Sequence, residues 1–171
     1  MVIRLLLVCV AILLGCSEDA SPKCKGPTLS GCDLSDADLR GFRLDGQNLG
    51  EMNLRGADFS ESSLKNVSFE NSDLTAAKFT RANLEGASFS GATLYRTIFD
   101  QADLRSAVFY NAKAWKSSFV NADLRGARLN GAQLHFADLR GALIDDIVLD
   151  NYTNLTGTLL EDSPIDPDRG K

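Results

Sequence analysis

The chain has 171 residues, of which 44% are apolar and 24% charged, a composition compatible with one globular domain that buries a core. Its 18 basic and 23 acidic residues give a formal net charge of −5. This acidic balance argues against nonspecific binding of nucleic acid through its phosphates, so no nucleic-acid partner is expected.

The first sixteen residues, MVIRLLLVCVAILLGC, have the pattern of a secretory signal. Arg4 supplies one positive charge before an apolar run that is short for a permanent membrane span. The run ends in LLGC, which resembles a bacterial lipobox. This resemblance implies that residues 1–15 are removed and that the Cys16 sulfur receives a diacylglycerol. An ordinary cleaved signal or a buried apolar helix is the alternative.

The segment 16–28 is interpreted as a lipid-anchored tether and N-terminal cap. Ser17 follows Cys16, whereas an aspartate at this place would be the inner-membrane retention signal of enteric-type bacteria. The expected location is therefore the cell envelope, with the outer membrane facing the periplasm favoured. Removal of the signal also removes Arg4, so the mature chain has 17 basic and 23 acidic residues and a formal charge of −6.

Two further cysteines remain in the mature chain. Cys24 and Cys32 would lie in an oxidising compartment, where a disulfide between them would close a short loop. Cys32 also occupies a small-residue position of the repeat described next, so a small buried thiol is the alternative. No metal site is expected, because neither a histidine nor a second cysteine pair accompanies them.

Leucine or phenylalanine recurs every fifth residue through most of the chain. Of the 24 positions from Leu34 to Leu149 in steps of five, 22 hold Leu or Phe, and the exceptions are Ala114 and Ile144. Small residues, mostly Ala, stand two positions before these centres, and Asp or Asn often stands directly before them. A period of five fits neither a helix nor a strand, but it fits a chain that turns a corner every five residues.

Four corners close a square, so one coil would take about twenty residues, with coils stacked at the ~4.8 Å spacing of β-bridges. Taking every fourth centre gives four columns, and phenylalanine is concentrated in the second and the fourth. Phe79 and Phe99 belong to one of these columns, and Phe89 and Phe109 belong to the other. We expect their rings to stack between coils.

The chain resembles the pentapeptide-repeat proteins, whose consensus is A-(D/N)-L-x-x. The segments ADLRG at 122–126 and at 137–141 are full matches. The resemblance implies an all-β fold, a right-handed quadrilateral β-helix of about six coils over residues 29–150. A C-terminal cap at 151–163 and a loose tail at 164–171 are expected to follow, because the period of five breaks after Leu149.

Two sets of outward residues are candidates for function. The residues after the third-column centres mostly have opposite charges on neighbouring coils, as Lys65, Glu85 and Arg105 do, which indicates a solvated face with weak ion pairs. The residues after the first-column centres include Tyr95, Trp115 and His135, which would stack as a ladder on adjacent coils. The full candidate interaction surface is Tyr95, Arg96, Trp115, Lys116, His135 and Phe136. Local packing around the small core residue Ala114, or protection of the sheet, is the alternative.

No catalytic residues are proposed, because the sequence lacks a nucleophile with a partner base and a glycine-rich phosphate loop. No cofactor is expected. The favoured function is a noncatalytic interaction or scaffold module, anchored in the envelope membrane, with a protein partner. Family members that mimic DNA and bind gyrase give an alternative that suits the acidic charge but conflicts with the secretion signal. An enzyme or a purely structural spacer is the third possibility.

Overall fold

The computed structural model describes residues 33–160, which form stacked coils with no α-helix and no extended strand. Twenty-two isolated parallel β-bridges join the coils within this described range. Twenty of them connect residues that are twenty apart, from Asp33 with Asn53 to Arg128 with Val148. One coil therefore contains twenty residues and four bridge positions. The predicted four-sided β-helix of about six coils is confirmed.

The four bridge positions of a coil define four faces, which we number in chain order. Their bridge residues run from Asp33 to Asn154 on face 1, from Asp38 to Leu159 on face 2, from Arg43 to Leu143 on face 3, and from Asn48 to Val148 on face 4. Each corner takes the number of the face before it, so corner 1 joins faces 1 and 2. Backbone hydrogen bonds run parallel to the rod at every bridge; for example, the Leu84 amide donates to the Asp103 carbonyl at 2.7 Å.

The core holds the residues that the period of five predicts to point inward. Leu84 and Phe89 are fully buried, and so are the small residues Ala82 and Ala87 that precede them by two positions. Ala114 is buried as well. Core residues become accessible only towards the ends of the described stack, as Leu34 and Leu149 do.

The phenylalanine columns stack as expected. Along the second column, the ring centroids of Phe79 and Phe99 are 5.1 Å apart with nearly parallel planes. Along the fourth column, those of Phe89 and Phe109 are 4.9 Å apart. The two columns also meet across the interior, where Phe89 and Phe99 pack edge to face at 5.3 Å. Each ring therefore has both stacked and perpendicular neighbours, the arrangements that aromatic rings prefer.

The corners depend on a left-handed backbone conformation two positions after each core centre. Among the described residues, fifteen non-glycine residues and nine glycines adopt it, with φ between 54° and 69°. The amide of the next residue donates to the carbonyl of the centre, as Ala87 does to Leu84 at 2.9 Å. A positive φ at the third residue of a four-residue turn is the mark of a type II turn.

Some corner glycines are needed for space as well as for conformation. A Cβ on Gly131 would overlap the Asn111 side chain, which occupies the same corner one coil earlier, whereas a Cβ on Gly46 would meet nothing within 4 Å. We expect Gly46→Ala to cost about 1–2 kcal/mol for the left-handed conformation alone. Gly131→Ala should cost about 1–3 kcal/mol more, because the alanine overpacks the corner.

Chemical denaturation of both variants measures this difference. Adding Asn111→Gly to Gly131→Ala should recover most of the extra loss, because it removes the side chain that the alanine would strike. Equal stabilities for Gly131→Ala and Gly46→Ala would show that the corner relaxes freely.

One corner near the C-terminus contains an extra residue. The last two bridges, Gln133 with Asn154 and Asp138 with Leu159, join residues that are 21 apart. The Asp150 carboxylate holds this longer turn, because it accepts hydrogen bonds from the Gly131 and Tyr152 amides and from the Thr153 hydroxyl at 2.9–3.0 Å. The bridge ladder thus continues past residue 150 into the segment that the sequence assigns to the cap.

Several predictions concern residues outside the described range. The signal at 1–15, the tether at 16–28, the tail at 164–171, the acylation of Cys16 and the disulfide between Cys24 and Cys32 all remain predictions. Within the described range, no helix has the length and apolarity that crossing a bilayer requires.

Candidate functional site

Corner 1 carries the candidate surface, and the stacked backbone fixes its rows. The Arg96 amide donates to the Trp115 carbonyl at 3.1 Å, and the Lys116 amide donates to the His135 carbonyl at 3.2 Å. Residues 95, 115 and 135 therefore occupy equivalent positions on three successive coils. The coil geometry brings all six predicted residues to this one corner.

Three aromatic rings, on two successive coils, form a contiguous cluster at corner 1. The ring centroids of Trp115 and His135 are 5.2 Å apart with planes inclined by 30°, a stacked arrangement. Phe136 packs edge to face on His135 at 5.9 Å. Trp115 is 37% exposed and Phe136 is 59% exposed. The cluster therefore presents apolar aromatic surface to solvent.

The expected three-ring ladder is a two-ring stack. Among the described residues, Tyr95 has no ring contact with Trp115, although Tyr95 occupies the same corner position one coil earlier in the chain. Its ring instead lies beneath the Arg96 guanidinium, whose central carbon is 5.1 Å from the ring centroid. This is a cation–π contact, which holds the arginine against the corner.

The backbone around Phe136 explains how a large ring is placed there. Phe136 is one of the left-handed corner residues, with φ of 60°. Gly157 lies at the same corner one coil later in the chain, and a Cβ at this glycine would be 2.7 Å from the Phe136 ring. The missing side chain at Gly157 therefore gives the Phe136 ring its space. Nδ1 of His135 is buried and has no hydrogen-bond partner within the described residues.

The third-column residues form the expected ion pairs only in part. The Lys65 ammonium lies 2.9 Å from the Glu85 carboxylate, and the Arg105 guanidinium lies 3.7 Å from it. Arg105 has a closer partner in Asp103, at 2.7 Å, and Arg125 pairs with Asp123 at 2.6 Å. Corner 3 is thus a charged surface with internal pairing, as the sequence indicates.

Sequence reasoning missed the commonest ion pair of the rod, which lies within a single pentapeptide. Each copy of the sequence DLR places an aspartate before a core leucine and an arginine after it, and both side chains point outward. Four copies form such a pair: Asp38 with Arg40, Asp103 with Arg105, Asp123 with Arg125, and Asp138 with Arg140. The recurrence of DLR is the signal that could have revealed it.

These pairs hold the aspartates in their charged form. Two hydrogen bonds from the Arg40 guanidinium, at 2.7 and 2.8 Å, lower the pKa of Asp38 to about 2. The hydrogen bonds from Arg105 and Arg125 likewise lower the pKa of Asp103 and of Asp123. Aspartates also accept hydrogen bonds from the amide two residues later, as Asp38 does from Arg40. This is the turn-favouring role predicted for residues before the centres.

The side chains of corner 1 can contact another molecule through apolar, cation–π and electrostatic interactions. Its side chains offer aromatic surface, cations and one imidazole, and no serine, cysteine or carboxylate is bonded to His135 in the described part of the chain. Between residues 33 and 160, no three His, Cys, Asp or Glu side chains are grouped so that they could hold a metal ion. Tyr110 and Tyr152, which the sequence reasoning did not single out, are also exposed on the rod.

Comparison with known structures places the fold among solved proteins. HetL, a pentapeptide repeat protein involved in heterocyst differentiation regulation from the cyanobacterium Nostoc, is 25% identical, with a TM-score of 0.54 over 80% of this chain and 81% of its own. A pentapeptide repeat protein of the Arabidopsis thaliana thylakoid lumen is 25% identical, with a TM-score of 0.41 over 77% and 73%. QnrB1, a plasmid-mediated fluoroquinolone resistance protein, is 19% identical, with a TM-score of 0.37 over 71% and 79%.

Comparison with curated protein sequences gives no match. The family model for pentapeptide repeats, however, matches eight copies in the segments 43–75, 53–91, 72–109 and 107–144. These segments cover more than half of the chain, and no enzyme family is indicated. The chain therefore belongs to the pentapeptide-repeat family, and its fold is the right-handed quadrilateral β-helix.

Proposed function

We propose that this protein is a lipid-anchored, noncatalytic interaction module of the bacterial cell envelope. Corner 1 is its contact surface, formed by Tyr95, Arg96, Trp115, Lys116, His135 and Phe136. The observation that carries the proposal is the exposed aromatic cluster of Trp115, His135 and Phe136 on a rigid backbone. Aromatic and arginine side chains dominate the binding energy of protein interfaces.

The rigidity of the rod supports a binding role. Backbone hydrogen bonds hold the rows of corner 1 from coil to coil. A partner would therefore meet side chains whose backbone positions are fixed before binding. Such preorganisation reduces the entropy that association costs.

The envelope location is supported by the sequence of the first seventeen residues. The short apolar run, the LLGC motif and the polar segment after Cys16 agree with a lipoprotein whose domain hangs on a tether. Ser17 favours the outer membrane. The anchor would bring the rod to the membrane surface and leave its faces available to a protein partner.

The acidic charge of the chain is the observation that favours the alternative, a DNA-mimicking rod that binds gyrase. DNA mimicry requires a surface of exposed, unneutralised negative charge. In the described rod, however, arginines neutralise Asp38, Asp103, Asp123 and Asp138 at 2.6–2.7 Å. The pairing within DLR removes four carboxylates from the negative surface, and the secretion signal favours the envelope function.

The anchor has a direct test. Mass spectrometry of the protein from membranes should show a mature chain that begins at Cys16 and carries acyl chains. Cys16→Ser should move the protein from the membrane fraction to the soluble fraction. Cys24→Ser is the matched control and should stay in the membrane fraction. An intact Met1 terminus, or membrane retention of Cys16→Ser, would contradict the proposal.

A further inference from the structure

The positive charges of the rod fall into two groups. Most of the described arginines and lysines form ion pairs with a carboxylate. The five described residues that form none are Lys78, Arg96, Lys113, Lys116 and Arg128. In a chain of formal charge −5, unneutralised cations are the exception.

Three of these five cations surround Trp115. Lys116 follows it directly, Arg96 occupies the same corner position as Lys116 one coil earlier, and Lys113 stands on face 1 two residues before it. Lys113, Lys116 and Arg96 are all exposed. Coils are spaced at about 4.8 Å, so the three charges lie within a few coil spacings of one another.

The neighbouring bridge residues do not neutralise this group. On face 1, Lys113 lies between Thr93 and Gln133, and on face 2 the equivalent positions hold Ile98 and Ser118. The bridge-position carboxylates within one coil of these residues are already paired: Asp73 with Arg55 at 3.1 Å, and Asp138 with Arg140 at 2.6 Å. Asp100, at corner 2, accepts a hydrogen bond from the Ser118 hydroxyl. Corner 1 is therefore a local cationic and aromatic surface on an acidic rod.

We infer that corner 1 binds an acidic polypeptide segment. The carboxylates of the segment would face Arg96, Lys113 and Lys116, and an apolar side chain of the segment would pack on Trp115 and Phe136. The inference rests on the interaction role proposed above and specifies the chemistry of the partner. Charge complementarity of this kind selects partners and speeds their encounter.

Two features favour a polypeptide over other anions. Tyr, Trp and Arg, the three residue types enriched at protein-interface hot spots, all occur at this corner. Recognition of an anionic membrane surface typically uses clusters of about four to eight Lys or Arg residues, and three are present here. The surface thus combines few charges with much aromatic area.

Trp115 makes the inference measurable, because it is the single tryptophan of the chain and lies inside the proposed site. The assay uses the mature chain, residues 16–171, carrying Cys16→Ser, so that neither the signal nor a lipid anchor contributes. Its tryptophan fluorescence is titrated with a glutamate–tyrosine copolymer, and with a lysine–tyrosine copolymer as the charge-reversed control. We expect saturable binding of the acidic copolymer alone, with an affinity that falls as salt is added.

A triple variant tests the three cations. Arg96→Gln, Lys113→Gln and Lys116→Gln together should weaken binding of the acidic copolymer about tenfold or more. Glutamine is acceptable at a left-handed corner position, since Gln101 adopts φ of 60° at the equivalent position of corner 2. The matched control removes three charges from the other side of the rod by Arg105→Gln, Arg125→Gln and Arg128→Gln, and it should bind like the parent chain.

Three outcomes would overturn the inference. These are an absent fluorescence response to the acidic copolymer, an unchanged affinity in the triple variant, or an equal loss in the matched control. Phosphatidylglycerol vesicles and polygalacturonate serve as competing anions. If either binds as tightly as the copolymer and depends on the same three cations, the site is one for lipid or glycan instead. None of these results alters the acylation test at Cys16, so the two proposals fail separately.

Discussion

Leu84→Asp should unfold the rod, whereas Glu85→Ala, one residue later, should leave it folded. Leu84 is fully buried in the third column, where an aspartate would lose the packing of the leucine and place a carboxylate in an apolar interior. The lost packing alone costs about 2–5 kcal/mol, and burial of the polar group adds to it. This is comparable with the whole stability of a small domain, about 5–15 kcal/mol.

Glu85 makes a suitable control because it is adjacent in sequence but points outward. Its carboxylate pairs with Lys65 and Arg105 at the surface, and its side chain is 42% exposed. Exposed pairs of this kind contribute about 0–1 kcal/mol. Thermal unfolding followed by circular dichroism compares the two variants. Similar melting temperatures would contradict the assignment of inward and outward positions.

Trp115→Ala should abolish capture of the native envelope partner and leave the fold intact. Truncating an aromatic anchor at an interface costs roughly 2 kcal/mol or more, which corresponds to about a 30-fold loss of affinity. The fold should survive because the Trp115 side chain lies at the surface and its ring stacks on His135. The measurement is a pull-down from envelope extract with the immobilised variant, after its circular dichroism spectrum has been compared with that of the parent chain.

The control for this experiment removes charge from corner 3 by Arg105→Ala together with Arg125→Ala. These residues lie diagonally across the rod from Trp115, so the double variant should retain the partner. An unfolded Trp115→Ala protein would instead assign Trp115 to local packing around Ala114. Retention of every partner by folded Trp115→Ala would move the contact surface away from corner 1.

The period of five predicted the core because burial repeats strictly along the chain. A leucine or phenylalanine at each centre, with a small residue two positions before it, has one geometric solution in which both point inward. The sequence alone therefore predicted the four columns, the stacking of Phe79 on Phe99 and the row of residues at corner 1.

The conformation of individual corners did not follow from the sequence in this way. Glu51, Ala76 and Phe136 adopt positive φ, which their own local preferences disfavour. The stacked coils impose this conformation, because only a sharp turn at each corner keeps the bridges in register. Local propensity is overruled by the ladder of backbone hydrogen bonds.

The directions of the surface side chains could not be predicted from the sequence either. Tyr95 and Trp115 occupy the same corner on adjacent coils, but the Tyr95 ring lies against Arg96, because an exposed ring has several acceptable neighbours. The charged residues of corner 3 show the same effect: Arg105 lies closer to Asp103 than to Glu85. An exposed side chain has several conformations of similar free energy, so its neighbour is decided by small energy differences. In the core, packing permits only one arrangement of the side chains.

The twenty-residue spacing of the bridges has a consequence for inheritance. A tandem duplication of the gene segment that encodes one coil of twenty residues would leave every later residue in its original column. It would lengthen the rod by about 4.8 Å. A duplication of a single pentapeptide would instead move each later residue to the next face, placing phenylalanines such as Phe119 in leucine columns and carrying Trp115 a quarter turn around the axis. Descendants of this gene should therefore differ in length by whole coils, with the residues of corner 1 still on the same side of the rod.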